Sequence, residues 1–196
     1  KKRLYFRKST PAKKIQKYYR ALSMEQDRRS PHHYFNSVKE ETGKVFVDVG
    51  CAEGYSSLEI IEEAKHVYLF EQDEQWLEAI RATFEPWQDK VTIVQKYVSD
   101  HNSSREQTLD DFFNNQTDEH LFLKMDIEGA ERHALAGCKN LFQNCQKLDF
   151  AICTYHLRDD EEVISAFLNK HNCTYINQKG FFRHRIRSVV MRGSKK

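Results

Sequence analysis

Residues 45–54 read VFVDVGCAEG, and YSSLEIIEEA follows at 55–64. An apolar run ends in an acid and a glycine, and a second glycine comes four residues later. That pattern predicts a strand turning directly into a helix. Glycine at 50 permits a tight turn, and glycine at 54 permits close approach of backbone to a ligand. The spacing is GxxxG. It is not the GxGxxG fingerprint of nicotinamide binding, and it lacks the Gly-Lys-Ser/Thr of a phosphate-binding P-loop.

Outward from this turn, strands and helices alternate. HVYLFE (66–71), VTIVQKYV (91–98), LFLKMD (121–126) and DFAICTYH (149–156) read as strands. EQWLEAIRATF (74–84), 108–114, 128–136 and 159–171 read as helices, with Gly137 as the terminator of the third. CTYIN (173–177) and HRIRSVVMR (184–192) are strands joined by a Gln-Lys-Gly turn, which predicts a hairpin. The expectation is an α/β Rossmann-like fold: a seven-stranded, mostly parallel sheet with a C-terminal antiparallel hairpin. Ligands in such sheets lie beyond the carboxyl ends of the strands, next to strand 1. Upstream, PAKKIQKYYRALSME (11–25) carries a helical apolar stripe at Ile15, Tyr18, Tyr19 and Leu22 with a basic opposite face. The domain reading is a basic helical extension or lid over 1–43 and a catalytic domain over 44–196.

Hydrophobic residues make up 39% of the 196 and charged residues 31%, the balance of a globular protein with a substantial core. No apolar run approaches the roughly 18 residues of a membrane span. The five cysteines match no zinc spacing and read as reduced thiols, so a cytoplasmic protein is expected. The sequons at Asn102, Asn115 and Asn172 carry little weight without a signal peptide. The chain begins at Lys1, which leaves room for a targeting segment upstream. The net charge of +2 is uneven: residues 1–44 hold 13 basic against 4 acidic side chains, 179–196 hold 7 against none, and the rest hold 11 against 25. Two basic ends on an acidic body read either as solubility or as a collar for an anionic partner.

Glu71 ends the second strand about 20 residues after the glycine turn, where a carboxylate can accept both hydroxyls of a ribose. The alternative is an acid favoured by the dipole of the following helix. Val98 and Ser99 end the third strand, where an adenine edge would be met.

Together VDVGCAEGYSS, VYLFEQD, TLDDFF and above all LFLKMDIEGAE resemble the FkbM-type branch of S-adenosylmethionine-dependent methyltransferases, over residues 44 to 156. The resemblance implies a class I methyltransferase fold and S-adenosyl-L-methionine as cofactor. It implies that Gly50, Ala52 and Gly54 face the methionine part, helped by Tyr55 and Ser56. Asp48 would anchor the turn or meet the cofactor amine. Glu71 would bind ribose, Gln72 would lie against adenine, and Val98 and Ser99 would meet its edge.

Methylation of base amino groups usually goes with an Asn/Asp-Pro-Pro-aromatic run after strand 4. Here Asp126-Ile127-Glu128-Gly129 stands there, which favours oxygen as the methyl acceptor. Asp126 is a weak base that could orient a hydroxyl or hold a divalent cation, although no metal site is assigned. His156 is better matched to proton removal near neutral pH. Its alternative is a surface histidine in a turn; Glu128 and Glu131 are further candidate bases, whose alternative is stabilisation of a helix start. Lys124, in an apolar strand, should pair with Asp126 or Glu128 or reach the acceptor. The expected function is O-methylation of a sugar, glycan or other small, possibly anionic, metabolite. An RNA-directed methyltransferase and a non-catalytic S-adenosylmethionine-binding protein are the alternatives.

Overall fold

The computed structural model describes residues 2–114, 118–182 and 184–195. Asn115 and Arg183 lie outside the described residues. Seven strands form one sheet in the order β3-β2-β1-β6-β7-β9-β8. They are β1 (Val45–Val49), β2 (His66–Phe70), β3 (Val91–Val94), β6 (His120–Met125), β7 (Lys147–Cys153), β8 (Cys173–Phe182) and β9 (Arg185–Lys195). The first five pair in parallel, and β9 runs antiparallel to β7 and β8. The order reverses between β1 and β6, which leaves a crevice above their carboxyl ends.

All five residues of β1 are buried because helices cover both faces of the sheet. Val45, Val47 and Val49 face one core with Leu121, Leu123, Phe142 and Phe150. Phe46 faces the other with Phe35, Ile60, Leu69, Ile80 and Phe122. The helices are α1 (Ala12–Glu25), α2 (Tyr55–Ile60), α3 (Glu74–Phe84), α4 (Leu109–Phe112), α5 (Glu131–Ala136), α6 (Lys139–Asn144) and α7 (Asp160–Lys170). None of the described helices is long and apolar enough to cross a membrane. All five cysteines are free thiols.

Several expectations are corrected. The predicted third strand divides: β3 stops at Val94, and β4 (Tyr97–Val98) pairs instead with β5 (Glu106–Gln107) in a separate ribbon. The helix placed at 128–136 starts only at Glu131, because Glu128 and Gly129 both have positive φ. Helix α6 was hidden by its short, polar sequence. The turn placed at Gln178-Lys179-Gly180 is strand, with a register shift between Gln178 and Lys179. Gly180 serves packing: a Cβ there would lie 2.3 Å from the Pro31 ring. Gln178 Nε2 also donates to the carbonyl of His33 at 3.1 Å, so the hairpin clamps the segment ahead of β1.

Helix α1 does not bury its stripe in the core. Ile15 and Leu22 are half-buried, and Tyr18 and Tyr19 are exposed. Its neighbours are the rim of the crevice, where Tyr18 stacks on Trp76 and Tyr19 meets Tyr55 edge-on. Ahead of it, the backbone N–H of Tyr5 donates to Thr83 Oγ1, and Arg7 pairs with Asp73 at 2.7 Å.

Gly137 is not left-handed. It is glycine because a Cβ would lie 2.0 Å from the carbonyl oxygen of Ser99. Gly137→Ala must push two backbones apart, and overpacking of this kind costs about 1–3 kcal/mol. A urea titration should show a lowered midpoint with an unchanged slope. An unchanged midpoint would show that the Ser99 turn yields freely.

Candidate active site

The turn after β1 is held by its own backbone. The N–H groups of Gly50 and Cys51 both donate to the carbonyl of Phe70. Gly50 has φ +78°, and a Cβ there would lie 2.2 Å from the carbonyl oxygen of Asp126. Only glycine lets the two loops at the reversal point touch. Ala52 also sits at φ +47°, a strained conformation for alanine. The strain has a counterpart: the Ala52 N–H donates to Glu71 Oε2 at 3.0 Å. The other carboxylate oxygen, Oε1, accepts from the Asp73 N–H at 2.7 Å. Glu71 is thereby fixed at the carboxyl end of β2, while Asp73 caps α3 by accepting from Gln75 N–H.

Lys124 and Asp48 are register partners on adjacent strands. The Lys124 ammonium lies 2.8 Å from Asp48 Oδ1 and donates to the Gly50 carbonyl at 2.7 Å. Ser57 Oγ completes the pair by donating to Asp48 Oδ2 at 2.6 Å. The expected partners Asp126 and Glu128 are thus replaced by Asp48, because strand pairing puts that carboxylate beside the lysine. Burial works against the ammonium, yet Asp48 and then Asp126 outweigh it, and the Lys124 pKa is raised.

At the end of β6, Tyr34 Oη donates to Asp126 Oδ2 at 2.7 Å, and Tyr155 Oη lies 3.4 Å from Oδ1. Burial, then the Asp126 charge, holds the Tyr34 phenol protonated. His156 ends the strand-β7 side with Nε2 3.4 Å from Asp126 Oδ1 and Nδ1 2.9 Å from Glu131 Oε1. It is not a surface histidine, because only 8% of its side chain is exposed. Burial disfavours its charge, but Glu131 and then Asp126 prevail, so its pKa is raised. The Glu131 carboxylate also accepts the Ile127 N–H, which closes the turn ahead of α5.

These groups border a cleft of about 640 Å³, within the usual range of small-molecule sites. Asp48, Gly50, Ala52, Tyr55, Ser56, Glu71, Gln72, Val98, Lys124 and Asp126 all line it. Three expected residues do not. Gly54 gives its space to the Phe84 ring, which a Cβ would approach to 2.7 Å. Ser99 is turned away, its backbone N–H bound to Gln107 O once the chain leaves the main sheet. His156 stands behind Asp126. The sequence reading missed Arg7, Tyr18, Glu25, Glu53, Tyr34 and Tyr155, all lining residues. Four of these belong to the segment ahead of β1. Lys13, Lys14, Lys17 and Arg20 do not line the cleft, and Arg187 donates to the carbonyls of Thr154 and Leu157, so among the described residues Arg7 is the one cation of the two basic ends on it.

A reversing parallel sheet, a glycine turn and a fixed carboxylate at the end of the next strand define a Rossmann-like methyltransferase of class I. The profile of the Methyltransferase FkbM domain matches residues 16–181, and the chain belongs to that family. No curated protein sequence matches it. The FkbM methyltransferase of Methylobacillus flagellatus KT shares the fold with a TM-score of 0.62 at 20% identity, over 78% of this chain. The chain spans 44% of that protein's length. A putative methyltransferase from Streptococcus mutans in complex with SAH gives 0.57 at 14% identity, over 81% of this chain and 93% of its own. The precorrin-6y C5,15-methyltransferase of Geobacter metallireducens GS-15 gives 0.55 at 13%, over 99% and 94%.

Two outcomes follow from the buried charges. Lys124→Met leaves Asp48 buried without its cation, which typically costs about 3–5 kcal/mol. Thermal unfolding should register this in the absence of any ligand; a melting point equal to that of the native chain would show that Asp48 finds other support. Glu53 is only 4% exposed, and burial raises its pKa above the ordinary 4.5. A carboxyl with a raised folded value is fully compatible with folding below the unfolded value and costs stability once the pH passes the folded one. Glu53→Gln should therefore stabilise the ligand-free protein at neutral pH and change little below about pH 4. Equal melting points at neutral pH would show that the Tyr18 hydroxyl, which donates to Glu53 Oε2 at 3.0 Å, already compensates the charge.

Proposed function

We propose that the chain transfers a methyl group from S-adenosylmethionine to a hydroxyl of a sugar, glycan or other small metabolite. The observation that carries the cofactor reading is Glu71, fixed by two backbone N–H groups one strand away from the glycine turn. Each of its oxygens keeps a lone pair for a ribose hydroxyl. The charge of the cleft supports the same reading. Seven carboxylates line it against three bases, and two of those bases, Arg7 and Lys124, are already paired. That excess suits a ligand carrying a sulfonium and an ammonium group, and it disfavours an anionic acceptor. The Streptococcus mutans protein of the same fold is described in complex with SAH.

The cofactor supplies a methyl group on a sulfonium leaving group, so the protein's task is alignment and management of one proton. Tyr55 and Ser56 hold the methionine part, and Gln72 and Val98 flank adenine. Asp126 orients the acceptor hydroxyl, its second oxygen being held by Tyr34. His156 acts through Asp126 at 3.4 Å and stabilises the proton on that side. Lys124 keeps Asp48 and the Gly50 carbonyl in place and acts on the turn, not on the acceptor. Residues 1–43 act as the lid, because Arg7, Tyr18 and Glu25 form one wall of the cleft while α1 has no buried residue.

Titration calorimetry tests the cofactor reading without knowledge of the acceptor. One molecule of S-adenosylmethionine should bind per chain. Loss of a charge-assisted contact to both ribose hydroxyls in Glu71→Ala should cost roughly 1.5–3 kcal/mol, about 10- to 150-fold in affinity. Equal affinity of the variant and the native chain would sink the ribose assignment. With an acceptor in hand, the mass gain of one methyl on a hydroxyl, rather than on nitrogen, tests the direction of transfer. Removal of His156 should lower turnover by about 10²–10⁴ if it manages the proton.

A further inference from the structure

Asp126, Glu131 and His156 place one donor atom each within 4.8 Å of one another. They come from three places: the end of β6, the first turn of α5, and the residues after β7. Strand order brings them together, not sequence proximity. Glu131 is fully buried and His156 nearly so. Among the described residues, Glu131 Oε2 and His156 Nε2 are buried without a hydrogen bond. Burying such atoms unsatisfied is costly, so each calls for a partner. The charge is unbalanced as well. Glu128 Oε2 lies 3.6 Å from His156 Nε2, and the Asp126 charge helps to raise the pKa of Glu25. Asp126, Glu128 and Glu131, three carboxylates, thus surround one imidazole. The nearest lysine, Lys124, is committed to Asp48.

We infer that Asp126, Glu131 and His156 bind a divalent metal ion at the wall of the cleft. Two donors sharing an ion at about 2.1 Å stand roughly 3.0–3.5 Å apart. The Asp126 Oδ1 to His156 Nε2 separation is 3.4 Å, and Glu131, 2.9 Å from the other ring nitrogen, must swing its free oxygen round to join them. One imidazole with two carboxylates suits Mn²⁺ or Zn²⁺ better than Ca²⁺, which prefers an all-oxygen shell. Three protein ligands leave coordination positions open, and the open side faces the cleft through Asp126, where an acceptor oxygen could be coordinated. The ion's binding stands on its own; its role in orienting the acceptor rests on the methyl-transfer reading. With the ion bound, His156 is a ligand and does not take the proton.

The test uses the whole chain, treated with chelator and then titrated with MnCl₂. The six-line electron paramagnetic resonance signal of free Mn²⁺ should fall with a stoichiometry of one ion per chain, and Zn²⁺ should restore it by displacement. The imidazole nitrogen signals of His156 in the native protein should broaden on adding Mn²⁺, which needs no variant. Asp126→Asn and His156→Gln, checked for folding by circular dichroism, should each weaken binding at least tenfold. Glu25→Gln removes a neighbouring carboxylate outside the ligand set and should weaken it less than threefold. No loss of signal, unbroadened His156 resonances, or an equal effect of Glu25→Gln would overturn the site in favour of an empty or diffuse one. Calorimetry with S-adenosylmethionine, run in parallel on chelated protein, tells failure of the metal site apart from failure of the cofactor reading.

Discussion

The Asp48–Lys124 ion pair is the contact on which the site depends. It spans β1 and β6 at the point where the strand order reverses, and it is almost wholly buried. Removing two ions from water costs several kcal/mol each, so such a pair persists only with good geometry and further hydrogen bonds. Here Ser57 and the Gly50 carbonyl supply them. Apolar residues at both positions would pack as well. They would not hold the carbonyl of Gly50, and with it the glycine turn whose N–H at Ala52 fixes Glu71. Each later element of the site is placed by this one: turn to pair, carboxylate to turn, and cleft wall to carboxylate.

The cleft combines two kinds of wall. The sheet side is rigid and carries Glu71 and Asp126 on the ends of strands. The other side is α1 and the chain ahead of it, attached through Arg7, Tyr18 and a few rings. An isolated helix of this length is marginal in water, so α1 owes its order to contacts at the rim. Burial of Glu53 under Tyr18 shows the cost of that arrangement, since a carboxyl whose charge burial disfavours is kept where water is excluded.

Much of this was legible in the sequence. The strand-helix alternation and the closing hairpin are strong periodic signals, and the glycine turn with Glu71 and the LKMDIEGAE run marked strand ends that border the cleft. Asp126 and His156 were recognised as neighbours because adjacent strand ends must be close. What failed was local or three-dimensional. Gly54, Gly137 and Gly180 were assigned turning or ligand roles, whereas each makes room for a neighbour that only the folded chain reveals. The partner of Lys124 depended on register, which single-residue alternation does not give. Tyr34 carried no signal, since a tyrosine in an irregular segment is common, and Glu131 was weighed as a base without its contact to His156 being legible. The α1 stripe was real, but amphipathicity does not say which surface it meets.

The clamp of the hairpin on the segment ahead of β1 bears on the order in which the protein is completed during synthesis. Tyr34, which reaches Asp126, belongs to a segment held by Gly180 against Pro31 and by Gln178 at the His33 carbonyl. Those holding residues leave the ribosome after all five parallel strands. A nascent chain ending before β8 already contains the five parallel strands, the glycine turn and Glu71, but it lacks the hairpin contacts that hold the segment around Tyr34. Translation therefore supplies the sheet side of the site first and the clamp on the Tyr34 segment after it.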